Sequence, residues 1–204
     1  MNTAPPAVDA PPRTAEIRRT TRETDISCTL TLDGAGETDI ATGIGFLDHM
    51  LDTIARHASF DLTLRCEGDL RIDDHHTAED CAITLGQALD KALADRAGVA
   101  RFADAFAPLD EALARAVLDL VTRPVAVVNL ALDRERIGAL ACENIPHFFR
   151  TLAVSARCTL HLDVLRGEND HHKAEAACKA LALALRYAVA RTGDARPRST
   201  KGSL

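Results

Sequence analysis

The sequence predicts an α/β (α+β) fold of two similar halves, each a small mixed or antiparallel sheet packed on helices. Two His-His pairs, which begin at His75 and His171, carry the internal repeat. His49 lies 26 residues before the first pair and His147 lies 24 residues before the second. A helix and a strand are predicted in both intervals, so the order of elements repeats along with the spacing. The length of 204 residues suits a single compact domain or two small fused halves.

The first half is predicted over residues 14–99. Alternating apolar residues predict strands at 18–22 and 26–32, joined as a hairpin that ends at the turn 33–36. Helical spacing of apolar residues predicts a helix at 44–57. A strand at 60–66, a short strand at 70–73 and a helix at 77–93 complete this half.

The second half is predicted over residues 100–192, with the same order of elements. It contains strands near 114–119 and 125–132, a helix at 143–155, a strand at 158–165 and a helix at 173–191. We expect residues 1–13, which are rich in Pro and Ala, to form a disordered tail. Residues 193–204 lack periodicity and predict an extended C-terminal tail.

Composition excludes several classes of protein. The net charge of −6 provides no broad basic surface for nucleic acid. No apolar run approaches the roughly 18 residues that a membrane span needs. The six cysteines form no C-x-x-C pair, which is typical of reduced thiols. We therefore expect a soluble, cytoplasmic protein with no nucleic-acid or membrane partner.

The two His-His pairs belong to the motif His-His-x-x-Glu, at residues 75–79 and 171–175, and each copy opens a predicted helix. The first His and the Glu are four residues apart and share a helix face, while the second His points about 100° away. One motif can therefore serve two different metal ions. Helix capping would explain a single copy equally well, but two chance copies have odds of roughly one in a thousand. The duplication favours metal binding.

Further ligands and a phosphate site are suggested by other residues. His49 and His147 occupy equivalent places in the repeat and complete the candidate ligands. His57 and His161 have no matching pattern, and Cys81 and Cys178 lie at apolar helix positions, so we interpret these four residues as structural. Basic and hydroxyl side chains suited to a phosphate are present at Arg101, Arg123, Ser199 and Lys201. From these residues alone, solvated surface charge is the favoured explanation for each of them.

Four motifs in order make the sequence resemble the imidazoleglycerol-phosphate dehydratase family. They are Gly-Phe-Leu-Asp-His-Met-Leu at 45–51, the stretch 68–80, the stretch 147–150, and Asp-His-His-Lys-Ala-Glu at 170–175. The resemblance runs from about residue 18 to 202. It implies that water is removed from imidazole glycerol phosphate to give imidazole acetol phosphate, with two manganese ions in each active site. It also implies a homo-oligomer of 24 chains in which neighbouring subunits complete each site.

The resemblance further implies roles for individual residues. One ion would be held by His75, Glu79, His147 and His171, and the other by His49, His76, His172 and Glu175. Metals on both ring nitrogens would stabilise an imidazolate that expels hydroxide to form a diazafulvene. Glu23 matches the family's base, and Arg101, Arg123, Ser199 and Lys201 match its phosphate ligands. The chain departs from the family pattern at Ala103, Val121, Thr122 and Arg198, all on the phosphate side.

Two other functions compete with dehydration. A two-metal hydrolase acting on a phosphorylated small molecule would also use paired ions, to activate water, and would release phosphate. A metal-storage or scaffold protein would place its carboxylates and histidines on four helices of a bundle. Strands separate the helices here, so the storage function ranks below both enzymes.

Overall fold

The computed structural model describes residues 11–193 and Ser199, and within them it contains two halves of the same build. The first half comprises β1 (Thr14–Thr20), β2 (Thr24–Thr31), β3 (Thr38–Ala41), α1 (Gly45–Ala58), β4 (Asp61–Gly68) and α2 (His75–Leu93). The second comprises β5 (Phe102–Leu109), β6 (Ala112–Asp119), β7 (Val125–Asn129), β8 (Arg136–Ile137), β9 (Leu140–Ala141), α3 (Asn144–Ser155), β10 (Thr159–Arg166) and α4 (Asp170–Ala188).

Each half has one four-stranded mixed sheet, and the two sheets have equivalent topology. The strand order is β1-β2-β4-β3 in the first and β5-β6-β10-β7 in the second. In both sheets the first two pairings are antiparallel and the last is parallel. The extra hairpin of β8 and β9 occurs only in the second half of the described chain. The predicted fold of two similar α/β halves is therefore confirmed.

The helices pair across the halves. On α1, the spacing of Leu47, Met50, Leu51 and Ile54 gives one buried apolar face. α1 packs against α4, and α3 packs against α2, while α2 and α4 also cover the sheets of their own halves. Small side chains on α4, most of them alanines, permit this close approach. The N-terminal turns of α2 and α4 thereby come to lie beside helices from the opposite half.

Some predicted elements were wrong or missed. Residues 70–73 form a turn instead of a strand, closed by the hydrogen bond from Ile72 N to Asp69 O at 2.7 Å. The apolar alternation there leaves Leu70 and Ile72 exposed, with no neighbouring strand. β3, β5, β8 and β9 were not predicted, because three are short and β5 is rich in alanine with Pro108 near its end. The N-terminal hairpin, the four helices, and strands at the positions of β4, β6, β7 and β10 were predicted.

The two ends of the described chain lie together. Arg13 donates to Asp33 at 2.6 Å and to the carbonyl of Val189 at 2.8 Å. Arg191 also contacts Asp33, at 3.1 Å, and its backbone bridges to Val99. The predicted tails fall largely outside the described residues. Among the described helices, none is long and apolar enough to cross a membrane.

Candidate metal centre

The first group of candidate ligands, here called the α2–α3 cluster, consists of His75, Glu79 and His147. His75 and Glu79 lie four residues apart on one face of α2, and His147 faces them from α3. His147 Nε2 lies 2.8 Å from Glu79 Oε1, and the rings of His75 and His147 stack at 4.9 Å between centroids. The cluster joins the first half of the chain to the second.

The second group, the α1–α4 cluster, consists of His49, His171 and Glu175 and reproduces the same arrangement with the halves exchanged. Glu175 Oε2 lies 2.9 Å from His49 Nε2 and 3.2 Å from His171 Nε2. Burial raises the pKa of Glu175, but the hydrogen bonds from Lys179 and His49 outweigh it and hold this pKa at about 2. Glu175 is therefore an anion at neutral pH, as a metal ligand must be.

Both clusters fit a divalent transition metal. In each, one ligand atom from every residue lies within 4.8 Å of the others. Two imidazole nitrogens and one carboxylate oxygen are donors that manganese, iron and zinc all accept. The side chains are only partly buried, so an ion and a small substrate could reach them.

His76, the second histidine of the first motif, lies apart from the α2–α3 cluster. Its Nδ1 is 3.1 Å from Asp69, and its Nε2 is 3.6 Å from Glu23. The hydrogen bond with Asp69 raises the pKa of His76. Glu23, the candidate base, lies in the turn between β1 and β2.

His172 has an equivalent environment in the second half. Its Nδ1 is 2.7 Å from Glu111 Oε2, and its Nε2 is 3.7 Å from Asp110. The hydrogen bond with Glu111 raises the pKa of His172. Glu111 also accepts from the backbone N–H groups of Asn169 at 2.9 Å and Glu168 at 3.0 Å. These bonds, led by that of Asn169 and followed by that of His172, lower the pKa of Glu111 to about 2.

Sequence reasoning missed two of these partners, Asp69 and Glu111. Asp69 stands in the Gly68–Asp80 motif, but nothing in that motif gives its distance from His76. Glu111 precedes β6 as Glu23 precedes β2, so a closer alignment of the two halves could have found it. Both carboxylates face the Nδ1 atom of a motif histidine.

One chain brings together only part of each predicted ligand set. From the first set, His75, Glu79 and His147 meet, but His171 lies in the α1–α4 cluster with the second set. The reason is that His171 and Glu175 are four residues apart on one face of α4. His76 and His172 belong to neither three-residue group within the described chain. If the two predicted ligand sets hold the ions, each ion must therefore take at least one ligand from another copy of the chain.

Arg101, one of the predicted phosphate ligands, lies far from the α1–α4 cluster. The backbone N–H of Arg101 bonds the carbonyl of Ala188 at the C-terminal end of α4, and a rise of 1.5 Å per residue puts that end about 25 Å from His171. The Arg101 side chain bonds Asp119 at 2.8 Å. Arg123 is exposed in the loop before β7, Ser199 is half-buried, and Lys201 lies outside the described residues.

The comparisons with known sequences all indicate the same family. A family model described as imidazoleglycerol-phosphate dehydratase matches residues 42–185. A protein of that name from Salinibacter ruber is 55% identical over 194 residues, covering 95% of this chain and 96% of the relative. One from Cereibacter sphaeroides is 55% identical over 195 residues, covering 94% and 100%. A longer one from Phytophthora nicotianae is 57% identical over 192 residues, and the chain spans 42% of its length.

Solved structures agree with the sequence comparison. The imidazoleglycerol-phosphate dehydratase from Staphylococcus aureus superposes with a TM-score of 0.80 at 35% identity, covering 88% of this chain and 99% of that one. The enzyme from Pyrococcus furiosus also gives a TM-score of 0.80, at 38% identity, covering 92% and 100%. The relatives and structures named above are all dehydratases, so they do not support the alternative of a two-metal hydrolase. The chain therefore belongs to the imidazoleglycerol-phosphate dehydratase family and is a hydro-lyase of histidine biosynthesis.

Proposed function

We propose that the chain removes water from imidazole glycerol phosphate to give imidazole acetol phosphate, with two manganese ions and with Glu23 as the base. The observation that carries the proposal is the pair of His-Glu clusters at the N-terminal turns of α2 and α4. The substrate has an imidazole ring with two nitrogens, so two metal sites match its chemistry. The hydrolase alternative is not favoured, because the relatives are dehydratases.

The proposed metal ligands are those that the family resemblance implies. One ion would be held by His75, Glu79 and His147 with His171, and the other by His49 and Glu175 with His76 and His172. When bound to the substrate ring, the ions would stabilise the negative charge that develops there. Manganese is proposed from the resemblance, since the donor atoms would also accept iron or zinc.

Glu23 suits the role of base because hydrogen bonds hold its backbone, while no hydrogen bond from the described residues reaches its carboxylate. Its N–H bonds Thr21 Oγ1 at 3.0 Å, and its carbonyl accepts from the N–H of Asp69 at 3.0 Å. The carboxylate is half exposed and faces His76 Nε2 at 3.6 Å. A substrate bound beside His76 would present the carbon that loses its proton to a free carboxylate carried by a fixed turn.

We further propose that each active site is shared between copies of the chain in a homo-oligomer of 24. The separation of about 25 Å between Arg101 and His171 exceeds the reach of a small phosphorylated imidazole. Arg101, Arg123, Ser199 and Lys201 of one copy would then hold the phosphate of a substrate whose ring lies at the clusters of another. The shared site would also bring His171, His76 and His172 to their ions.

A reducing, cytoplasmic location is proposed with this activity. All six cysteines are free thiols and all are buried. Burial raises the pKa of Cys28 and of Cys158 to about 12, so these two thiols stay protonated and unreactive. Unpaired thiols throughout the chain are typical of proteins from reducing compartments.

The direct test is turnover by the purified full-length chain loaded with manganese. Imidazole glycerol phosphate is supplied, and the product is measured by the chromophore that its enol form gives in alkali. We expect this chromophore to form without release of inorganic phosphate. Phosphate release would support the hydrolase, and absence of product with manganese bound would refute the proposed activity.

A further inference from the structure

A buried polar chain reaches the Nδ1 atom of His75. His75 Nδ1 lies 2.8 Å from Asn144 Oδ1, and Asn144 Nδ2 lies 3.1 Å from Asp74 Oδ2. Asn144 is 3% exposed and Asp74 is 6% exposed. We infer that Asn144, held by Asp74, is a positioning residue that fixes the ring of His75 for metal binding in the α2–α3 cluster.

The direction of each hydrogen bond follows from the carboxylate. Asp74 also accepts from the N–H of Ala141 at 2.6 Å and from Arg136 at 3.3 Å, as an ionised carboxylate does. Because an ionised carboxylate only accepts, Asn144 must turn its NH₂ group toward Asp74 and its oxygen toward His75. The oxygen then accepts from Nδ1–H of His75. The proton is held on Nδ1, and the lone pair of Nε2 is free for a metal.

Asn144 also sets the direction of the ring. Asn144 and His147 are three residues apart on α3, so they share a helix face. The same helix turn therefore supplies one candidate ligand and holds another, and the planes of the two rings lie 26° apart. His75 belongs to the first half of the chain and Asn144 to the second, so the contact also fixes one half against the other.

The α1–α4 cluster has no equivalent support within the described residues. There, no described hydrogen bond reaches Nδ1 of His171. Asp170, the counterpart of Asp74, uses its carboxylate for Lys173 at 2.9 Å and for the N–H groups of Asp133 and Arg134 at 2.9 and 2.7 Å. Loss of Asn144 should therefore weaken one metal site and spare the other.

The test is a manganese titration of metal-free full-length protein, with free Mn²⁺ followed by its EPR signal. Asn144→Leu replaces the amide by an apolar side chain of similar size. We expect the affinity of one of the two sites to fall about 10- to 100-fold, as is typical when the partner of a ligating histidine is removed. The other site should keep its wild-type affinity. Asn129→Leu, at an exposed asparagine outside both clusters, is the matched control and should leave both affinities unchanged.

A second comparison separates positioning from a general loss of structure. If Asn144 acts through His75, then adding Asn144→Leu to His75→Ala causes no further loss of manganese affinity. A further loss at both sites, or equal weakening of both sites in Asn144→Leu alone, would overturn the inference. So would wild-type affinity in Asn144→Leu. The inference rests on the proposed metal site, and a wild-type protein that binds no manganese would refute that site instead.

Discussion

Glu23 and Glu111 occupy equivalent places in the two halves, yet their carboxylates have different surroundings. Each follows the first strand of its sheet and lies near the second histidine of a His-His pair. In the first half, the backbone carbonyl of Glu23 accepts the N–H of Asp69, and among the described residues no hydrogen bond reaches the carboxylate. In the second half, the carboxylate of Glu111 itself accepts two backbone N–H groups and the proton of His172 Nδ1.

The difference shows how one duplicated scaffold can serve two purposes. A carboxylate with three hydrogen bonds to its charged form is a poor proton acceptor, and its pKa of about 2 agrees. A glutamate that is hydrogen-bonded only through its backbone keeps its carboxylate free to face a substrate. We therefore propose that Glu23 in the first turn acts as the base and that Glu111 in the second turn orients His172.

The largest expected effect is a loss of kcat on substitution of Glu23, which substitution of Glu111 should not reproduce. Glu23→Gln should lower kcat about 10²- to 10⁴-fold, the usual contribution of a general base, while manganese content is unchanged. Glu111→Gln should instead weaken manganese binding about 10- to 100-fold and recover turnover at high manganese. Steady-state rates measured across a manganese series distinguish the two. Equal losses of kcat at saturating manganese would show that the turns have the same role.

Subunit mixing tests whether the clusters and the phosphate residues act from different copies. Glu23→Gln and Arg101→Ala chains, each inactive alone, are dissociated, mixed in equal amounts and reassembled with manganese. Shared sites should restore up to about a quarter of the wild-type activity, since some sites then receive both intact residues. If every site lay within one chain, the mixture would stay as inactive as its components.

A smaller effect is expected in the acid stability of the metal-free protein. The pKa of Glu111 is about 2 in the folded chain and 4.5 in its ordinary state. The folded state therefore gains stability from this group above pH 4.5 and loses it as the pH falls toward 2. The free energy of unfolding of Glu111→Gln, measured in urea, should lie below that of the wild type at pH 6 and approach it near pH 2. A gap independent of pH would exclude this contribution.

The smallest effect concerns two side chains that accept a backbone N–H group in the first turn of the helices that carry the motifs. Asn169 accepts from the N–H of His171 at 2.9 Å, and Asp73 accepts from the N–H of His75 at 3.1 Å. Asn169→Ala and Asp73→Ala should each lower the free energy of unfolding by about 1 kcal/mol. If the two variants lose similar free energies of unfolding in urea, the two side chains have equivalent structural roles in the two halves. A large loss from only one variant would show that their roles differ.

Much of the fold and part of the site could be predicted from the sequence, because both depend on local patterns. Helical periodicity predicted α1 to α4, and the repeated motif indicated the candidate ligands on α2 and α4. The pairing of α1 with α4 and of α3 with α2 could not be predicted, since it arises from packing between distant segments. For the same reason the support of His75 by Asn144, 69 residues away, has no signal in the motif.

We propose that the α2–α3 and α1–α4 clusters give the chain two distinct sites, each of which binds one manganese ion. The most direct measurement is the manganese content per chain, by elemental analysis, of the wild type, His75→Ala and His49→Ala. We predict two ions in the wild type and one in each variant, with the retained ion different in the two. Two ions in both variants, or fewer than two in the wild type at saturating manganese, would contradict the claim.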